Sequence, residues 1–460
     1  MILIKNIFFI ALNFAVNLAV SLIASTTQSY ANDSPGGTSS SNDWSKQSFN
    51  HPLSNSTSLE KQYFGVGNKF FKQPWVEFPS STVGRDGLGP TFNAVACAAC
   101  HVNDGRGIGF INDKVNLSIL FRLAQSTTEG LIPHPDYGSQ LQPLALNGVI
   151  GEANANVVFQ YITGTYPDGS TYELRKPIFN FTDFKNSAFD NQTQISARVA
   201  PHIIGLGLIE AIDPNEILKI ADPLDSDQDG ISGRGNFVFD IETQKLSLGR
   251  FGWKASQPTL KQQNAAAFIG DMGLTSFLFP EQNCPLVQLD CLNALFEIPY
   301  EVEDRVLDRV TLYTQLIAVP KSRNSKELDF IEGKQIFSDI GCVKCHQDNY
   351  STARVHSIEA LRDQKISPYS DFLLHDMGPD LADGVVEGLA EGYEWRTPPL
   401  WSLGLIQTVN RHSNLLHDNR ARNFEEAILW HGGEALTIKN NFMNLQKSKR
   451  EQLLYFIESI

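Results

Sequence analysis

The pentapeptide Cys97-Ala98-Ala99-Cys100-His101 occurs again later in the chain as Cys342-Val343-Lys344-Cys345-His346. In a Cys-x-x-Cys-His motif the two thiols can bind the vinyl groups of a haem as thioethers, while the adjacent imidazole binds the iron from the same turn. The two copies use four of the six cysteines, and two independent copies arise by chance in about one sequence in a million. The sequence therefore predicts two haem c groups, with His101 and His346 as the near-side ligands of the two irons.

Composition and charge limit the classes of partner. The chain has 460 residues, of which 42% are hydrophobic, and a formal net charge of -14 at pH 7. This length fits two or three domains with sizeable cores. The negative charge excludes nucleic acids and anionic lipids as partners. A small basic or neutral redox protein is the expected electron donor.

The N-terminal residues have the pattern of an export signal. Lys5 supplies a short positive region, residues 7–23 are apolar, and residues 29–31 form a cleavage site of small residues around a tyrosine. Residues 1–31 are therefore predicted to be a signal peptide, with an uncleaved membrane anchor as the less favoured alternative. Export agrees with covalent haem attachment and predicts a periplasmic protein.

Two cysteines remain outside the haem motifs. Cys284 and Cys291 are seven residues apart around Pro285. In an oxidising compartment they are expected to form a local disulfide, with two free thiols as the alternative.

An acidic turn in the middle of the chain has the spacing of a calcium loop. Asp225, Asp227 and Asp229 occupy its first, third and fifth positions, and Gly230 follows at the turn. The twelfth position holds Asn236 instead of the usual bidentate glutamate. Calcium is a candidate cofactor there, and a charged surface turn is the alternative.

The two halves of the chain share further residues at matching positions. Phe92 and Phe337 each lie five residues before the first cysteine of a motif. Residues 198–209 also match residues 396–406. Each stretch begins with an arginine, Arg198 or Arg396, continues through proline and ends in Gly-Leu-Ile. The shared order indicates an internal repeat, in which each half is one haem-binding unit and the first is enlarged by insertions.

These repeated residues also carry a family resemblance. The chain resembles the bacterial di-haem cytochrome c peroxidase superfamily, and more closely its branch of di-haem peroxidases often labelled thiol oxidoreductases. The resemblance covers residues 64–460 and is most specific over residues 86–107, 221–273 and 369–435.

The resemblance implies that a helix near the C-terminus supplies the far-side ligand of the second haem. Asn423 and Glu426 have the spacing of a capping box. Phe424, Ile428 and His431 then fall on one apolar face of the predicted helix. His431 is therefore the candidate ligand, which would give the second haem two histidine ligands and a low potential.

Other residues compete for this role. Met377 is the alternative iron ligand, and His431 would otherwise be a core histidine bonded to a backbone carbonyl. His412 and His417 are expected to line the pocket or to bond the backbone.

The resemblance also assigns residues to the first haem, where a peroxidase needs an open iron, a group that moves a proton and a route for electrons. Trp253 and Gln263 have the ten-residue spacing of the family's inter-haem tryptophan and distal glutamine. Asp271 matches the catalytic glutamate, but it is one methylene shorter and two residues closer to the glutamine. Burial beside a haem would raise the pKa of its carboxyl. The alternatives are that Trp253 is a core aromatic, Gln263 a surface amide on a helix, and Asp271 a helix N-cap.

The family's displaceable histidine on the first haem has no counterpart before Arg198. His202 and His134 are the substitutes. If neither binds, the first iron is five-coordinate or holds water, which favours reactivity over simple electron transfer.

Two further stretches have a predicted structural role. Residues 103–109 are rich in glycine and are expected to wrap a haem edge, with Arg106 near the propionates. Asn419 replaces a glycine that is common in the family, and asparagine tolerates the positive φ that such a turn needs.

The predicted function is that of a periplasmic peroxidase-like oxidoreductase. Electrons would enter at the C-terminal haem, and peroxide or another small oxidant would be reduced at the N-terminal haem. The alternatives are a non-enzymatic electron-transfer cytochrome and an oxidase of a thiol or other organic substrate.

The predicted fold is mainly α, with two cytochrome c-like haem domains. The first is expected over residues 59–315, enlarged by insertions with short β-strands, and the second over residues 316–460. Residues 32–58 are dense in small polar residues and are predicted to be a flexible tether. Ser448 and Glu451 mark the start of a final helix.

Overall fold

The computed structural model describes residues 33–295 and 299–460. The predicted signal peptide, residues 1–31, lies outside the described residues. Within the described part of the chain, none of the helices has the length and apolar character needed to cross a membrane.

Twelve α-helices lie in the described residues, and five of them have twelve or more residues. In chain order they are α1 (Ser58–Lys72), α2 (Cys97–Cys100), α3 (Leu206–Glu210), α4 (Pro214–Leu218), α5 (Leu260–Met272), α6 (Leu289–Leu292), α7 (Asp304–Leu316), α8 (Leu328–Asp339), α9 (Ile406–Asn410), α10 (Phe424–Leu429), α11 (Leu436–Met443) and α12 (Lys447–Ser459).

Fifteen strands lie in the same residues, most of them short. They are β1 (Thr91–Phe92), β2 (Phe110–Ile111), β3 (Lys114–Val115), β4 (Ile119–Thr127), β5 (Gly130–Ile132), β6 (Leu144–Ala145), β7 (Asn154–Thr165), β8 (Thr171–Thr182), β9 (Thr193–Val199), β10 (Phe237–Asp240), β11 (Lys245–Leu248), β12 (Tyr350–Ser351), β13 (Lys365–Ile366), β14 (Leu374–Asp376) and β15 (Glu394–Arg396). They form one three-stranded sheet, in the order β5-β4-β9, and six two-stranded sheets such as β7-β8.

The prediction of a mainly α fold is wrong. Helices make up 28% of the structure and strands 20%, and the strands are spread over many small sheets. A pair of cytochrome c-like domains is likewise not shown. The physical reason is that the haem motifs form single turns, whereas the alternating segment after the first motif pairs into long strands, β4 with β9 and β7 with β8.

Each half of the chain has a pair of helices that cross closely at a glycine. α1 crosses α7 at Gly67, where a Cβ atom would lie 2.2 Å from the carbonyl oxygen of Arg309. α8 crosses α12 at Gly333, where a Cβ atom would lie 2.2 Å from the carbonyl oxygen of Gln452. Glycine is therefore required at both crossings, because any side chain would push the helices apart.

A phenylalanine one turn after each glycine reaches the motif histidine. The ring centroids of Phe71 and His101 are 6.1 Å apart, and those of Phe337 and His346 are also 6.1 Å apart. The first-half counterpart of Phe337 is therefore Phe71. Phe92, which the sequence matches to Phe337, lies instead in β1 and pairs with β6. The first half has more residues between its phenylalanine and its motif than the second half has. A match by distance from the motif therefore pairs Phe337 with Phe92.

The segment predicted to be a flexible tether packs against the rest of the chain. Phe49 and Leu53 are buried. The Ser41 N–H donates to the carbonyl of Val319 at 3.0 Å, and the Leu53 N–H donates to that of Leu316 at 2.8 Å. Buried side chains and backbone bonds therefore anchor this stretch, in contrast to the predicted tether.

The remaining predictions about the fold have different outcomes. Cys284 and Cys291 are joined by a disulfide, as predicted. The final helix is present, but its N-cap is Gln446 and not Ser448. Residues 33–460 form one compact unit, and the boundary between two haem domains near residue 315 stays a prediction.

Gly67→Ala is expected to lower the free energy of unfolding by about 1–3 kcal/mol, because α1 must move away from the Arg309 carbonyl. Gly65→Ala is the matched control on the same helix, since a Cβ atom there meets nothing within 4 Å. It is expected to stabilise the protein by about 0.5–1 kcal/mol. Denaturant titration measures both, and equal effects of the two substitutions would contradict the close crossing.

Candidate haem sites

The first Cys-x-x-Cys-His motif begins with α2 and ends with a histidine in a fixed orientation. The His101 N–H donates to the carbonyl of Cys97 at 3.0 Å, and its Nδ1 lies 2.7 Å from the carbonyl oxygen of Pro201. A carbonyl oxygen only accepts hydrogen bonds, so Nδ1 carries the ring proton and Nε2 keeps its lone pair. Nε2 is therefore the atom available to a metal.

The second motif repeats this arrangement. The His346 N–H donates to the carbonyl of Cys342 at 2.9 Å, and its Nδ1 donates to the carbonyl of Tyr369 at 2.9 Å. Histidines that bind metals typically have this second hydrogen bond, which fixes the tautomer and the direction of the ring. Both motifs therefore present a metal-binding nitrogen.

Burial sets the protonation of both motifs. It lowers the pKa of His101 and of His346 to about 4, so both imidazoles are neutral at pH 7, the form that binds iron. Burial also raises the pKa of Cys97 and of Cys342 to about 12. The four motif cysteines are outside any disulfide and half-buried, which is compatible with covalent attachment of haem.

α10 holds His431 near the second motif. The His431 N–H donates to the carbonyl of Ile428 at 3.0 Å, and its Nδ1 donates to that of Ala427 at 2.8 Å, so Nε2 again keeps its lone pair. The charge of His431 is one of the influences that lower the pKa of His346, after burial. Met377, the competing ligand, is half-buried and stays an alternative.

The start of α10 forms half of the predicted capping box. Asn423 Oδ1 accepts the Glu426 N–H at 2.8 Å. The Glu426 carboxylate does not return to Asn423. It accepts instead from the N–H groups of Arg422 and Arg175, because β8 brings a competing backbone donor to this helix end.

Five half-exposed residues, Gln263, Ala266, Ala267, Gly270 and Asp271, lie on one side of α5, and Gln262, Ala265, Phe268 and Met272 are buried. Lys261, Asn264 and Ile269 are also half-exposed. The first side is therefore made mostly of small residues, with a polar side chain at each end. Asp271 lies at the C-terminal end of α5, before Gly273 at φ 65°, so the N-cap alternative is excluded.

The carboxyl group of Asp271 lies in the pocket of the first motif. Burial raises its pKa, while Gln140 and Arg122 act in the opposite direction. Its charge in turn contributes to the raised pKa of Cys97. Gln140 Nε2 donates to Asp271 Oδ1 at 2.9 Å and to Asn93 Oδ1 at 2.8 Å. Sequence reasoning missed Gln140, since it lies in an insertion far from any motif.

Trp253 lies where the segments that follow the two motifs meet. Its Nε1 donates to the carbonyl of Val199 at 2.9 Å, and the guanidinium carbon of Arg106 lies 5.3 Å from its ring centroid. From the second half, the Arg396 N–H donates to the Trp253 carbonyl at 3.0 Å, and the His417 ring centroid is 6.5 Å away. Gln263 lies close by, since a Cβ atom at Gly252 would be 3.8 Å from its Oε1.

Two buried arginines near Trp253 have no acidic partner. Burial lowers the pKa of Arg106 and of Arg396 to about 10, and Arg106 Nε is buried without a hydrogen-bond partner. Among the described residues no carboxylate forms an ion pair with either guanidinium. Because an unpaired buried charge is costly, this environment fits an anionic group such as a haem propionate. Arg106 was predicted for this role, and Arg396 had no sequence signal.

The two substitutes for a far-side ligand of the first haem have other contacts. His202 follows Pro201, whose carbonyl accepts from His101 Nδ1, and its ring centroid lies 6.3 Å from that of Phe49. Both of its ring nitrogens are buried without a partner. The ring of His134 packs against Tyr137 and Phe189.

The other two predicted pocket histidines have structural contacts. His412 Nε2 donates to the carbonyl of Arg106 at 3.0 Å, which is the expected backbone bond. The ring of His417 stacks on Trp395 with centroids 3.8 Å apart.

A buried acidic pair encloses His375 next to the second motif. Its Nε2 is 2.8 Å from Asp371 Oδ2, its Nδ1 is 2.6 Å from Glu434 Oε2, and Cys345 Sγ is 3.9 Å from Nδ1. Burial by itself would lower the pKa of His375, but the charge of Asp371 and the bonds to Asp371 and Glu434 raise it well above its usual value. His375 is therefore an imidazolium between two carboxylates, an arrangement without a sequence signal.

The acidic loop differs from the predicted calcium site in its ligands. The carboxylates whose oxygens lie within 4.8 Å of one another are those of Asp222, Asp225 and Asp227. Asp229 instead forms an ion pair with Lys344 at 2.8 Å. The Asn236 side chain is buried and bonds backbone carbonyls elsewhere. Calcium at this loop stays a prediction.

The glycine-rich run after the first motif packs on the second half of the chain. The Gly109 N–H donates to Asn419 Oδ1 at 2.7 Å, and Asn419 has the predicted positive φ, at 63°. The Arg106 N–H donates to Asn410 Oδ1 at 3.1 Å. A Cβ atom at Gly105 would lie 2.0 Å from that same oxygen, so the glycines permit close contact between the halves.

Comparison with known proteins agrees with this geometry. A sequence profile of the family described as "di-haem oxidoreductase, putative peroxidase" matches residues 29–460. The chain belongs to this family. The family match confirms the resemblance found in the sequence and makes haem the cofactor of this di-haem oxidoreductase.

Other comparisons add little. No curated protein matches the di-haem oxidoreductase chain. One similar solved structure is that of "Kuenenia stuttgartiensis Hydrazine Synthase Pressurized with 20 bar Xenon", with 13% sequence identity over 90% of this chain and 94% of that chain. Its TM-score is 0.32, so it carries no conclusion about fold or activity.

His375→Gln is expected to lower stability in a pH-dependent way. Because the folded-state pKa of His375 is raised, its imidazolium contributes stability that is fully present below the unfolded pKa of about 6.5. That contribution is lost as the pH rises through the folded pKa. The variant is expected to lose about 3–5 kcal/mol at slightly acidic pH, since two buried carboxylates lose their cation.

Denaturant titration at a series of pH values measures this difference. His356→Gln is the control, because the His356 ring bonds only the backbone of Ile358. A difference between wild type and His375→Gln that does not shrink with rising pH would contradict the charged state of His375.

Proposed function

We propose that this di-haem oxidoreductase is a peroxidase that reduces hydrogen peroxide or a related small oxidant at the first haem, with electrons entering at the second. The observation that carries the proposal is the difference between the two pockets. The charge of a second imidazole, that of His431, acts on His346, whereas the charge that acts on Cys97 beside His101 is that of the Asp271 carboxyl group. An iron with two imidazole ligands only transfers electrons, and an iron with one keeps a position for a substrate.

The first pocket has the groups that peroxide reduction needs. A haem bound at the first motif would supply the electrons for this reaction. Conversion of one hydrogen peroxide to two waters consumes two electrons and two protons, so a proton must be moved while the bond breaks. Burial raises the pKa of Asp271, which brings its carboxyl group closer to the range that suits proton transfer near neutral pH.

The chain positions this acid through Gln140. The amide binds Asp271 Oδ1 at 2.9 Å, which leaves Oδ2 free to exchange a proton with the substrate. Gln263 lies on the same face of α5, two turns earlier, and offers an amide to bind the second oxygen of the peroxide.

Trp253 is proposed as the bridge for electrons between the haems. It is buried, and it contacts residues that follow both motifs, Arg106 from the first and Arg396 from the second. If haem is bound at both motifs, the guanidinium groups of Arg106 and Arg396 would hold propionates. A small redox protein is the proposed donor, and the proposed location is the periplasm, after removal of residues 1–31.

Covalent haem c is proposed at both motifs. Denaturing mass spectrometry of the protein is expected to show a mass increase equal to two haem groups. Cys97→Ser/Cys100→Ser and Cys342→Ser/Cys345→Ser are each expected to remove one of them, because a thioether needs the thiol. Non-covalent haem, lost on denaturation from the wild type, would contradict the proposal.

Asp271→Ala is expected to lower peroxide turnover by about 100- to 10,000-fold, since this is the usual contribution of a positioned acid or base. A steady-state assay with a reduced donor measures it. Asp363→Ala is the control, because Asp363 is exposed and paired only with Arg354. Equal turnover in wild type and Asp271→Ala would remove Asp271 from the mechanism.

Electron paramagnetic resonance of the oxidised protein separates the proposal from its rival. A high-spin component is expected from the first haem. A wholly low-spin spectrum would favour a non-enzymatic electron-transfer cytochrome.

A further inference from the structure

The longest two-stranded sheet of the described residues is a hairpin without a role in the chemistry above. β7 and β8 pair antiparallel along twelve residues each, from Asn154↔Thr182 to Thr165↔Thr171. An isolated two-stranded hairpin is only marginally stable in water. Its position therefore depends on the surfaces on which it packs. Phe159, Phe179 and Phe181 of the hairpin pack on Phe110 and Phe121 of the first half, whereas its tip packs on the second half of the chain.

The tip of the hairpin is anchored to α10 and α12. The Tyr166 hydroxyl donates to Glu425 Oε1, on α10, at 2.8 Å. Arg450, on α12, donates to Asp168 Oδ2 at 2.7 Å, and its guanidinium carbon lies 3.9 Å from the Tyr166 ring centroid. Tyr166 and Arg450 are 3% and 4% exposed, whereas Asp168 is exposed, so the tip is anchored through two buried side chains and one surface carboxylate.

A second set of contacts follows along β8. The backbone N–H of Arg175 donates to Glu426 Oε1, and the Arg175 side chain donates to the carbonyl of Asn419 at 2.8 Å. Glu173 accepts from Arg422 at 3.0 Å. The hairpin therefore binds both acidic residues of the first turn of α10 and the segment that leads into it.

α10 needs such support. It has six residues, and a helix of this length is unstable by itself. His431 follows it directly, and both its backbone N–H and its Nδ1 donate to carbonyls of α10. A displacement of α10 therefore moves the imidazole with it.

We propose that the β7–β8 hairpin is a positioning element for the far-side ligand of the second haem, and that Tyr166 and Asp168 act through α10 and α12 to hold His431 in binding distance of the iron. This inference rests on the proposed ligation of that iron by His431. It gives the insertion in the first half of the chain a direct effect on the haem of the second half.

The test compares three variants with the wild type. Tyr166→Phe/Asp168→Asn removes the hydroxyl bond to Glu425 and the ion pair with Arg450, and it keeps the shape of both side chains. Gln160→Ala is the matched control, since Gln160 is an exposed residue in the middle of β7, away from the tip of the hairpin. His431→Ala removes the ligand itself.

Carbon monoxide binding to the fully reduced holoprotein reports on ligation, because the gas competes with His431 at the second iron. Wild type and Gln160→Ala are expected to bind one equivalent readily, at the first haem. His431→Ala is expected to bind two. In Tyr166→Phe/Asp168→Asn the second equivalent is expected to bind about 10- to 100-fold more tightly than in the wild type, the usual effect of losing a supporting contact of a metal ligand.

The outcomes separate the inference from the proposed function. If His431→Ala still binds one equivalent and keeps the low-spin signal of the wild type, His431 is not the ligand, and both statements are overturned. If His431→Ala binds two equivalents but Tyr166→Phe/Asp168→Asn behaves as the wild type, only the role of the hairpin is overturned. Tyr166→Phe by itself loses a single hydroxyl and provides the measurement if the double variant does not fold.

Discussion

Each haem site depends on one hydrogen bond, from Nδ1 of the motif histidine to a backbone carbonyl. The acceptors are Pro201 and Tyr369, which lie 100 and 23 residues after their histidines. A ring that donated through Nε2 would direct its remaining lone pair into the protein, away from any metal. The loops that carry these two carbonyls are therefore as much a part of the sites as the cysteine motifs, although no sequence motif marks them.

Burial has opposite consequences for the imidazole and the carboxyl groups of the two pockets. It lowers the pKa of His101 and of His346 and raises that of Asp271, because in each case the charged form is the one that loses solvation. The histidines are therefore neutral at pH 7, the form that can bind a metal, and the acid binds its proton more tightly than it would in water. His375 is the exception, because two carboxylates compensate for its desolvation.

The sequence predicts what is local and misses what depends on distant segments. The two motifs, the disulfide and the left-handed turn at Asn419 follow from residue type and spacing. Phe92 was matched to Phe337 in place of Phe71, because extra residues lie between Phe71 and the first motif. Gln140 and Arg396 acquire a role only when β-strands from elsewhere in the chain bring them to their partners. The strand content was underestimated for the same reason, since pairing between distant segments decides it.

The glycine-rich run after the first motif has a consequence for motion. Its Gly109 is bonded to Asn419, the carbonyl of Arg106 accepts from His412, and the Val199 N–H donates to the His417 carbonyl at 2.7 Å. A hinge movement of the two halves would have to break all of these bonds together. The spacing between His101 and His346 is therefore set by backbone contacts, and any adjustment between the two motifs is left to side chains.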